Sequence, residues 1–168
     1  MMDIINKRRS VRKFSNKKVE EDKLILILKA AMQAPSAVNQ QPWEFIIVQN
    51  EEKIIQLANT NSYTKFSQKA SAIVVVLLKN LDLKAERFAP QDLGASIQNL
   101  LLETVNQGLG ATWMGIYPDE DRILYVRKAL SIDQAVTPFA LVAVGYPERE
   151  DLNKYIDRFN KDRIRFIK

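Results

Sequence analysis

The sequence predicts an α+β protein in which four or five β-strands form one sheet with helices around it. Apolar residues at helical spacing alternate along the chain with short runs of β-branched and aromatic residues. No repeat, low-complexity segment or linker divides the 168 residues, and the balance of 46% hydrophobic and 27% charged residues is typical of a globular protein. Residues 1–168 are therefore predicted to form a single domain.

The first long helix is predicted in VEEDKLILILKAAMQA, after an acidic first turn that suits the helix dipole. Four apolar residues there recur at i, i+3, i+4 and i+7, namely Leu24, Ile27, Leu28 and Ala31. Pro35 ends this helix, because proline cannot continue a helical backbone. The β-rich run WEFIIVQ, residues 43–49, is the first predicted strand.

A second helix is predicted in NEEKIIQLANT, where the Asn50 side chain is placed to cap the first turn. SAIVVVLLK, residues 71–79, is a nearly continuous β-branched run of the kind found in strands buried on both faces. We therefore expect it to be a central strand of the sheet.

The long helix of residues 90–108 has apolar residues on more than one face, which predicts burial in the core or against a second subunit. Gly108 is placed as its C-terminal cap. Residues 109–118 and 137–147 are two more predicted strands, with DEDRILYVRKAL as a helix between them.

The charged tail from Glu148 to Lys168 is predicted to wrap over a surface rather than to enter the core. No apolar run approaches the roughly 20 residues that span a bilayer. The beginning, MMDIINKRRS, lacks the apolar region of a secretory signal. We expect a cytoplasmic protein with no membrane partner.

The chain contains no cysteine and no histidine. The first absence excludes disulfides, thiol nucleophiles and thiolate metal sites, and the second excludes Ser-His-Asp hydrolysis and imidazole-bound zinc. We expect no metal site, and if the protein is an enzyme, we expect a cofactor to carry its chemistry.

RRSVRKF, residues 8–14, concentrates four cations near the start of a chain whose net charge is +5. Cations this close repel one another unless an anion lies among them. Nucleic acid, an anionic membrane or a phosphorylated small molecule could each supply that anion. A second unusual stretch, APSAVNQQPW at residues 34–43, presents neutral amide and hydroxyl groups between two prolines, either to contact a heterocycle edge or simply to connect helix and strand.

Taken in order, RRSVRKF, APSAVNQQPW, QDLGASIQNLLLE, GLGATWMGIYP and VGYPE resemble the nitroreductase family of FMN-dependent oxidoreductases along essentially the whole chain. The resemblance implies a nitroreductase-like α+β fold with a mostly antiparallel central sheet of four to five strands. It also implies FMN as the cofactor, and the FMN phosphate as the anion among the N-terminal cations.

By this resemblance, Arg8 and Ser10 match phosphate-binding positions, and Arg158 matches an arginine that closes over the phosphate. Arg12 matches the residue beside the N1 and O2 edge of the flavin ring, where it would stabilise the negative charge of the reduced ring, and it is the predicted catalytic residue. Arg9 is predicted either to bind phosphate or to face solvent.

The resemblance also implies a homodimer with shared sites, in which one subunit's loop lines the flavin of its partner. The loop residues concerned are Pro35, Ser36, Ala37, Asn39 and Gln41.

Trp113, Met114 and Gly115 match the segment beside the pyrimidine side of the ring, although the first two could equally be core residues. Gly115 is the preferred candidate, because a backbone that approaches a ring closely favours glycine. Many relatives carry a lysine where this chain has Ile156, and Lys154 is a candidate to replace it.

The implied reaction takes hydride from NAD(P)H onto FMN N5 and then passes it to an electron-poor small molecule, such as a nitroaromatic or quinone, on the same flavin face. The brief segment LDLKAERFAP, where other members carry a helical lid, predicts an open and permissive acceptor site. A non-catalytic flavin-binding regulator is an alternative. A basic nucleic-acid-binding module is another, but no recognition-helix, RRM or KH signature is present, so nucleic acid is not an expected partner.

Overall fold

The computed structural model describes residues 2–149 and 155–168. Within these residues the chain forms five α-helices and four β-strands. The helices are α1 (Met2–Lys7), α2 (Glu21–Met32), α3 (Glu51–Ala58), α4 (Ala89–Asn106) and α5 (Glu120–Leu130). The strands are β1 (Trp43–Val48), β2 (Ala72–Lys79), β3 (Gly110–Gly115) and β4 (Val136–Gly145).

The four strands form one sheet in the order β1-β2-β4-β3, and every neighbouring pair is antiparallel. β2 pairs with both β1 and β4, so the β-branched run is a central strand, as predicted. The predicted α+β class and antiparallel sheet are confirmed.

Helices cover both faces of the sheet. Val74 and Val76 of β2 belong to a core cluster with residues of α2 and α4, whereas Ile73 and Val75 belong to a second cluster with residues of α3 and α5. Successive side chains of a strand point to opposite faces, so both sets of β2 side chains are buried. This two-sided burial explains why β2 lacks the alternating polar pattern of a half-exposed strand.

Local capping signals in the sequence correspond to observed caps. The Asn50 side chain accepts a hydrogen bond from the Lys53 amide at 3.0 Å, which satisfies one free donor at the start of α3. At the end of α4, Gly108 has φ +73° and the Leu109 amide donates to the Thr104 carbonyl at 2.9 Å. This is the 6→1 bond of a Schellman cap, which requires a left-handed residue at position 108.

Two segments differ from the sequence-based expectation, whereas the described part of the tail stays out of the core, as predicted. The short helix α1 was not predicted, and β3 ends at Gly115 rather than continuing through residue 118. Residues 155–168 are exposed and contain only one short 3₁₀ turn, at Lys161–Arg163. The remainder of the predicted tail, residues 150–154, lies outside the described residues and includes Lys154.

Candidate functional site

The basic segment of residues 8–14 is fixed to the sheet beside β3. Ser10 forms a parallel bridge with Ala111, and the Val11 amide donates to the Ala111 carbonyl at 3.0 Å. The Thr112 hydroxyl donates to the Val11 carbonyl at 2.6 Å. Further along, Phe14 is buried where Gly145 leaves room for its ring. Burial of the apolar residues leaves Arg12 exposed at the surface.

Arg8, Arg9 and Arg158 line one cleft of about 410 Å³, together with Ile5 and Gln98 among others. The pKa of Arg8 is lowered from its usual value by partial burial, and also by the positive charges of Arg158 and Arg9. Among the described residues, none of these three guanidinium groups is in an ion pair. Asp157 also lines the cleft, but three arginines against one carboxylate leave it net positive, and a bound anion would relieve the repulsion among the three cations.

Arg8 and Arg9 reach the same cleft because Arg8 is not yet part of the extended segment. Its amide donates to the Ile4 carbonyl at 3.0 Å, so Arg8 completes the last turn of α1. In an extended chain, successive side chains point to opposite sides, and the extended part of this segment begins only at Ser10. This geometry makes both arginines available to the same anion.

Arg12 lines a second cleft, with Phe66, Trp113, Gly115 and Arg122 among its other residues. The Arg12 guanidinium carbon lies 5.7 Å from the centre of the Phe66 ring, within the range of a cation–π contact. Its Nη1 atom also donates to the Ser10 carbonyl at 3.3 Å. Because Trp113 is 40% exposed, an aromatic surface is available in this cleft.

Met114 and Gly115 differ in what they offer to a ligand. Met114 is buried in the core cluster beneath the cleft, so its side chain serves packing. A Cβ atom added at Gly115 would meet nothing within 4 Å, which shows open space beside this backbone. The Gly115 carbonyl accepts a hydrogen bond from Arg122 Nη1 at 3.3 Å. The backbone of Gly115 is thus open to the close approach of a planar group.

The loop of residues 35–41 has an unusual backbone. Val38, Asn39 and Gln41 have φ angles of 47°, 55° and 46°, values that side-chain-bearing residues adopt only when the surroundings hold them there. The Ser36 hydroxyl accepts from the Gln41 amide at 3.0 Å. Val38 is 67% exposed at the tip. Within one chain, the loop lines neither of the two clefts described above.

The structure therefore divides the predicted site residues into three groups. Arg8, Arg9 and Arg158 share one cleft, Arg12 and residues 113–115 share another, and the loop of residues 35–41 lies apart from both. Ser10, the remaining predicted residue, lines neither cleft. Six residues of the second cleft were not predicted, namely Asn61, Tyr63, Thr64, Phe66, Thr112 and Arg122. The four of them in residues 61–66 had only one signal, the aromatic and polar run NSYTKF after α3, which has no regular period.

Across residues 2–149 and 155–168, no group of acidic side chains is arranged to hold a metal ion. In the same part of the chain, no helix combines the length and the apolarity needed to cross a bilayer.

Comparison with known proteins identifies the family. The model of the nitroreductase family matches residues 5–76 and 62–146. A protein of Archaeoglobus fulgidus, provisionally named NADH dehydrogenase/NAD(P)H nitroreductase, is 37% identical over 168 residues, with 97% of this chain and 95% of the relative covered.

Two solved structures agree with this assignment. A protein of Clostridium acetobutylicum, provisionally described as an NADH oxidase, is 42% identical with a TM-score of 0.94, and 98% of this chain and 99% of that chain are covered. A protein of Desulfovibrio desulfuricans, provisionally described as a nitroreductase and solved in complex with FMN, is 27% identical with a TM-score of 0.80, and the coverage is 96% and 92%. The resemblance inferred from the sequence motifs is confirmed, and this chain belongs to the nitroreductase family.

Proposed function

We propose that this protein is an FMN-dependent oxidoreductase that takes hydride from NAD(P)H and gives it to an electron-poor acceptor such as a nitroaromatic or a quinone. Its family supports the class of reaction, and the NAD(P)H nitroreductase name of the archaeal relative supports the reductant. The FMN complex of the Desulfovibrio structure supports the cofactor. When bound, FMN supplies the hydride-accepting and hydride-donating chemistry that these side chains cannot perform.

The observation that carries the proposal is the cluster formed by Arg8, Arg9 and Arg158. Its mutual repulsion and the lowered pKa of Arg8 fit a site that is completed by a doubly charged phosphate. Guanidinium groups hold phosphate oxygens through pairs of parallel hydrogen bonds. Ser10 does not line this cleft, but it is exposed next to Arg9, and we propose that its hydroxyl adds a neutral donor to the phosphate.

The second cleft has the surfaces that a flavin ring needs. Open space beside Gly115 admits a planar group, and the exposed Trp113 provides an aromatic wall. Arg12 brings a positive charge to the same cleft, where it would favour the reduced and negatively charged state of a bound flavin ring. The role of the chain is to orient the reactants and to supply this charge, which requires no titrating side chain.

The acceptor is proposed to enter through the outer part of this cleft. Tyr63 is 86% exposed and Phe66 lies under Arg12, so two further aromatic rings line the opening. Only one 3₁₀ turn, at Glu86–Phe88, occurs in the segment where a helical lid was expected in other members. These features support an open site that accepts several flat, electron-poor molecules.

We also propose that the functional unit is a homodimer. The loop of residues 35–41 lines neither cleft of its own chain, although its exposed tip and strained backbone suit a contact with another surface. In the dimer, this loop would complete the flavin site of the partner subunit. Each site would then require both chains.

The proposal is tested by adding FMN to the purified protein, removing free FMN by gel filtration and recording the flavin spectrum. We expect the protein to retain FMN, and we expect the flavin absorbance to bleach when NADH or NADPH is added without oxygen. Restoration of the absorbance by a quinone or a nitroaromatic would complete the cycle. A folded dimer that retains no flavin would contradict the proposal, and retained flavin that NAD(P)H does not bleach would favour a non-catalytic flavin-binding protein.

A further inference from the structure

A buried carboxylate holds the loop of residues 35–41 in place. Asp92 lies in the first turn of α4 and is only 6% exposed. One of its oxygens accepts from the Ala37 amide at 2.9 Å, and the other accepts from Gln40 Nε2 at 2.7 Å. Asp92 therefore binds the loop at two points that lie three residues apart and enclose its tip.

The Gln40 side chain can present only a donor to Asp92. Gln40 Oε1 accepts from the Ala85 amide at 2.9 Å, and Gln40 Nε2 donates to the Ala85 carbonyl at 3.1 Å. This pair of hydrogen bonds fixes the orientation of the amide group, which leaves the second hydrogen of Nε2 for Asp92. Both groups that face Asp92 are thus donors, and position 92 must supply two acceptors.

The tip of the loop needs such support. Val38 and Asn39, which lie between the two attachment points, have left-handed backbone angles, and Gln41 follows with a third. Each such residue costs roughly 1–3 kcal/mol and persists only where the surrounding structure over-determines it. The two hydrogen bonds to Asp92 are partly buried interactions that can offset this cost.

We propose that Asp92 is a positioning residue for the flavin site, which acts by holding the loop in the one shape that fits the cofactor. This inference rests on the proposed function, because that function makes the loop part of the partner subunit's FMN site. Asp92 itself does not need to touch the cofactor. It acts through the backbone of residue 37 and the side chain of residue 40.

Asp92→Asn is the sharpest test, since asparagine has the same shape but supplies only one acceptor. Its amide nitrogen would face either the Ala37 amide or Gln40 Nε2, so one hydrogen bond becomes a contact between two donors. Asp121→Asn is the matched control, because Asp121 also lies in the first turn of a helix but is exposed. Gln40→Ala breaks the same attachment from the side of the loop.

We expect amide hydrogen exchange in residues 36–41 of the cofactor-free protein to be about tenfold faster in D92N and in Q40A than in the wild type or D121N. We also expect the Kd for FMN to rise about tenfold in D92N and in Q40A, with the helical circular dichroism unchanged. Wild-type exchange in D92N, or faster exchange with an unchanged Kd for FMN, would overturn the positioning role. If the wild type itself fails to bind FMN, the proposed function fails, and the role of Asp92 at the flavin fails with it. If the wild type binds FMN and D92N binds it equally well, only the inference about Asp92 fails.

Discussion

The Val11 side chain lies so close to Gly110 that a Cβ atom at position 110 would be only 2.7 Å from the Val11 Cβ. Real Cβ atoms essentially never approach this closely, so glycine is required at the start of β3 for residues 8–14 to lie along it. Arg8 and Arg9, two of the three arginines of the cationic cleft, belong to this segment. The position of these arginines therefore depends on the glycine at position 110 of the neighbouring strand.

Gly110→Ala is expected to destabilise the protein by about 1–3 kcal/mol, because the added methyl group overpacks the contact with Val11. Thermal unfolding would measure this loss. Gly115→Ala is the control in the same strand, because its Cβ would meet nothing within 4 Å. We expect that variant to unfold like the wild type but to bind FMN more weakly, because the methyl group enters the space proposed for the flavin ring. Equal stability of the two variants would contradict this account of Gly110.

Arg8→Ala is expected to weaken FMN binding by about 10- to 100-fold, equivalent to about 1.4–2.8 kcal/mol, which is the range of hydrogen bonds to charged groups. Riboflavin has the same ring without the phosphate, so its affinity should not change. Quenching of flavin fluorescence would measure both affinities. Lys18→Ala, which removes an exposed lysine paired with Glu51, is the matched control and should bind FMN normally. An equal loss of affinity for riboflavin would place Arg8 away from the phosphate.

Arg12→Gln is expected to lower the reduction potential of bound flavin by about 30 mV or more, equivalent to about 1.4 kcal/mol for two electrons. The reason is the loss of a positive charge that favours the reduced ring. Spectroscopic titration against a dye of known potential would measure the shift. Arg12→Lys keeps the charge and should retain most of the potential. A potential that is unchanged in Arg12→Gln would exclude an electrostatic role for Arg12.

Mixed dimers are expected to show whether the loop of residues 35–41 acts on the partner subunit. Asn39→Pro should destroy the loop shape, because proline fixes φ near −65° and Asn39 has φ 55°. Arg8→Ala impairs the phosphate cleft instead. Each variant alone should bind little FMN, whereas a dimer with one chain of each should contain one intact site.

The measurement for mixed dimers is the amount of flavin per heterodimer, after purification through a different affinity tag on each chain. Homodimers of each variant, tagged and treated in the same way, are the controls. Recovery of about one tightly bound FMN for each heterodimer is the result expected from shared sites. If the loop served the site of its own chain, both sites of the heterodimer would be defective and no FMN would be recovered.

The regular part of the fold could be predicted from the sequence because its signals are local. The apolar spacing of α2, the β-branched run of β2 and the caps at Asn50 and Gly108 each lie within a few residues of the structure that they specify. The six residues of α1 are too few for such a period to be recognised, and an isolated helix of that length has little intrinsic stability.

The site could be predicted only in part, because its geometry depends on distant contacts. A left-handed valine at position 38 contradicts the preference of β-branched residues, and it is held by a loop whose anchor, Asp92, lies 55 positions from Ala37. Single-residue patterns contain no information about such a pairing. Similarly, Phe66 joins Arg12 only because the sheet brings the end of the α3 region next to residues 8–14.

The position of the segment of residues 8–14 also bears on the solubility of the protein. β3 is an edge strand of the sheet, and Ser10 and Val11 pair with part of its exposed edge. Uncovered outer strands are templates for pairing with other chains, which leads to aggregation. A phosphate bound to Arg8 and Arg9 would help to hold the segment of residues 8–14 in place, and this segment covers part of the edge of β3. We therefore expect the protein to aggregate more readily without its cofactor. The time for which it stays in solution should increase with the fraction of the protein that contains flavin.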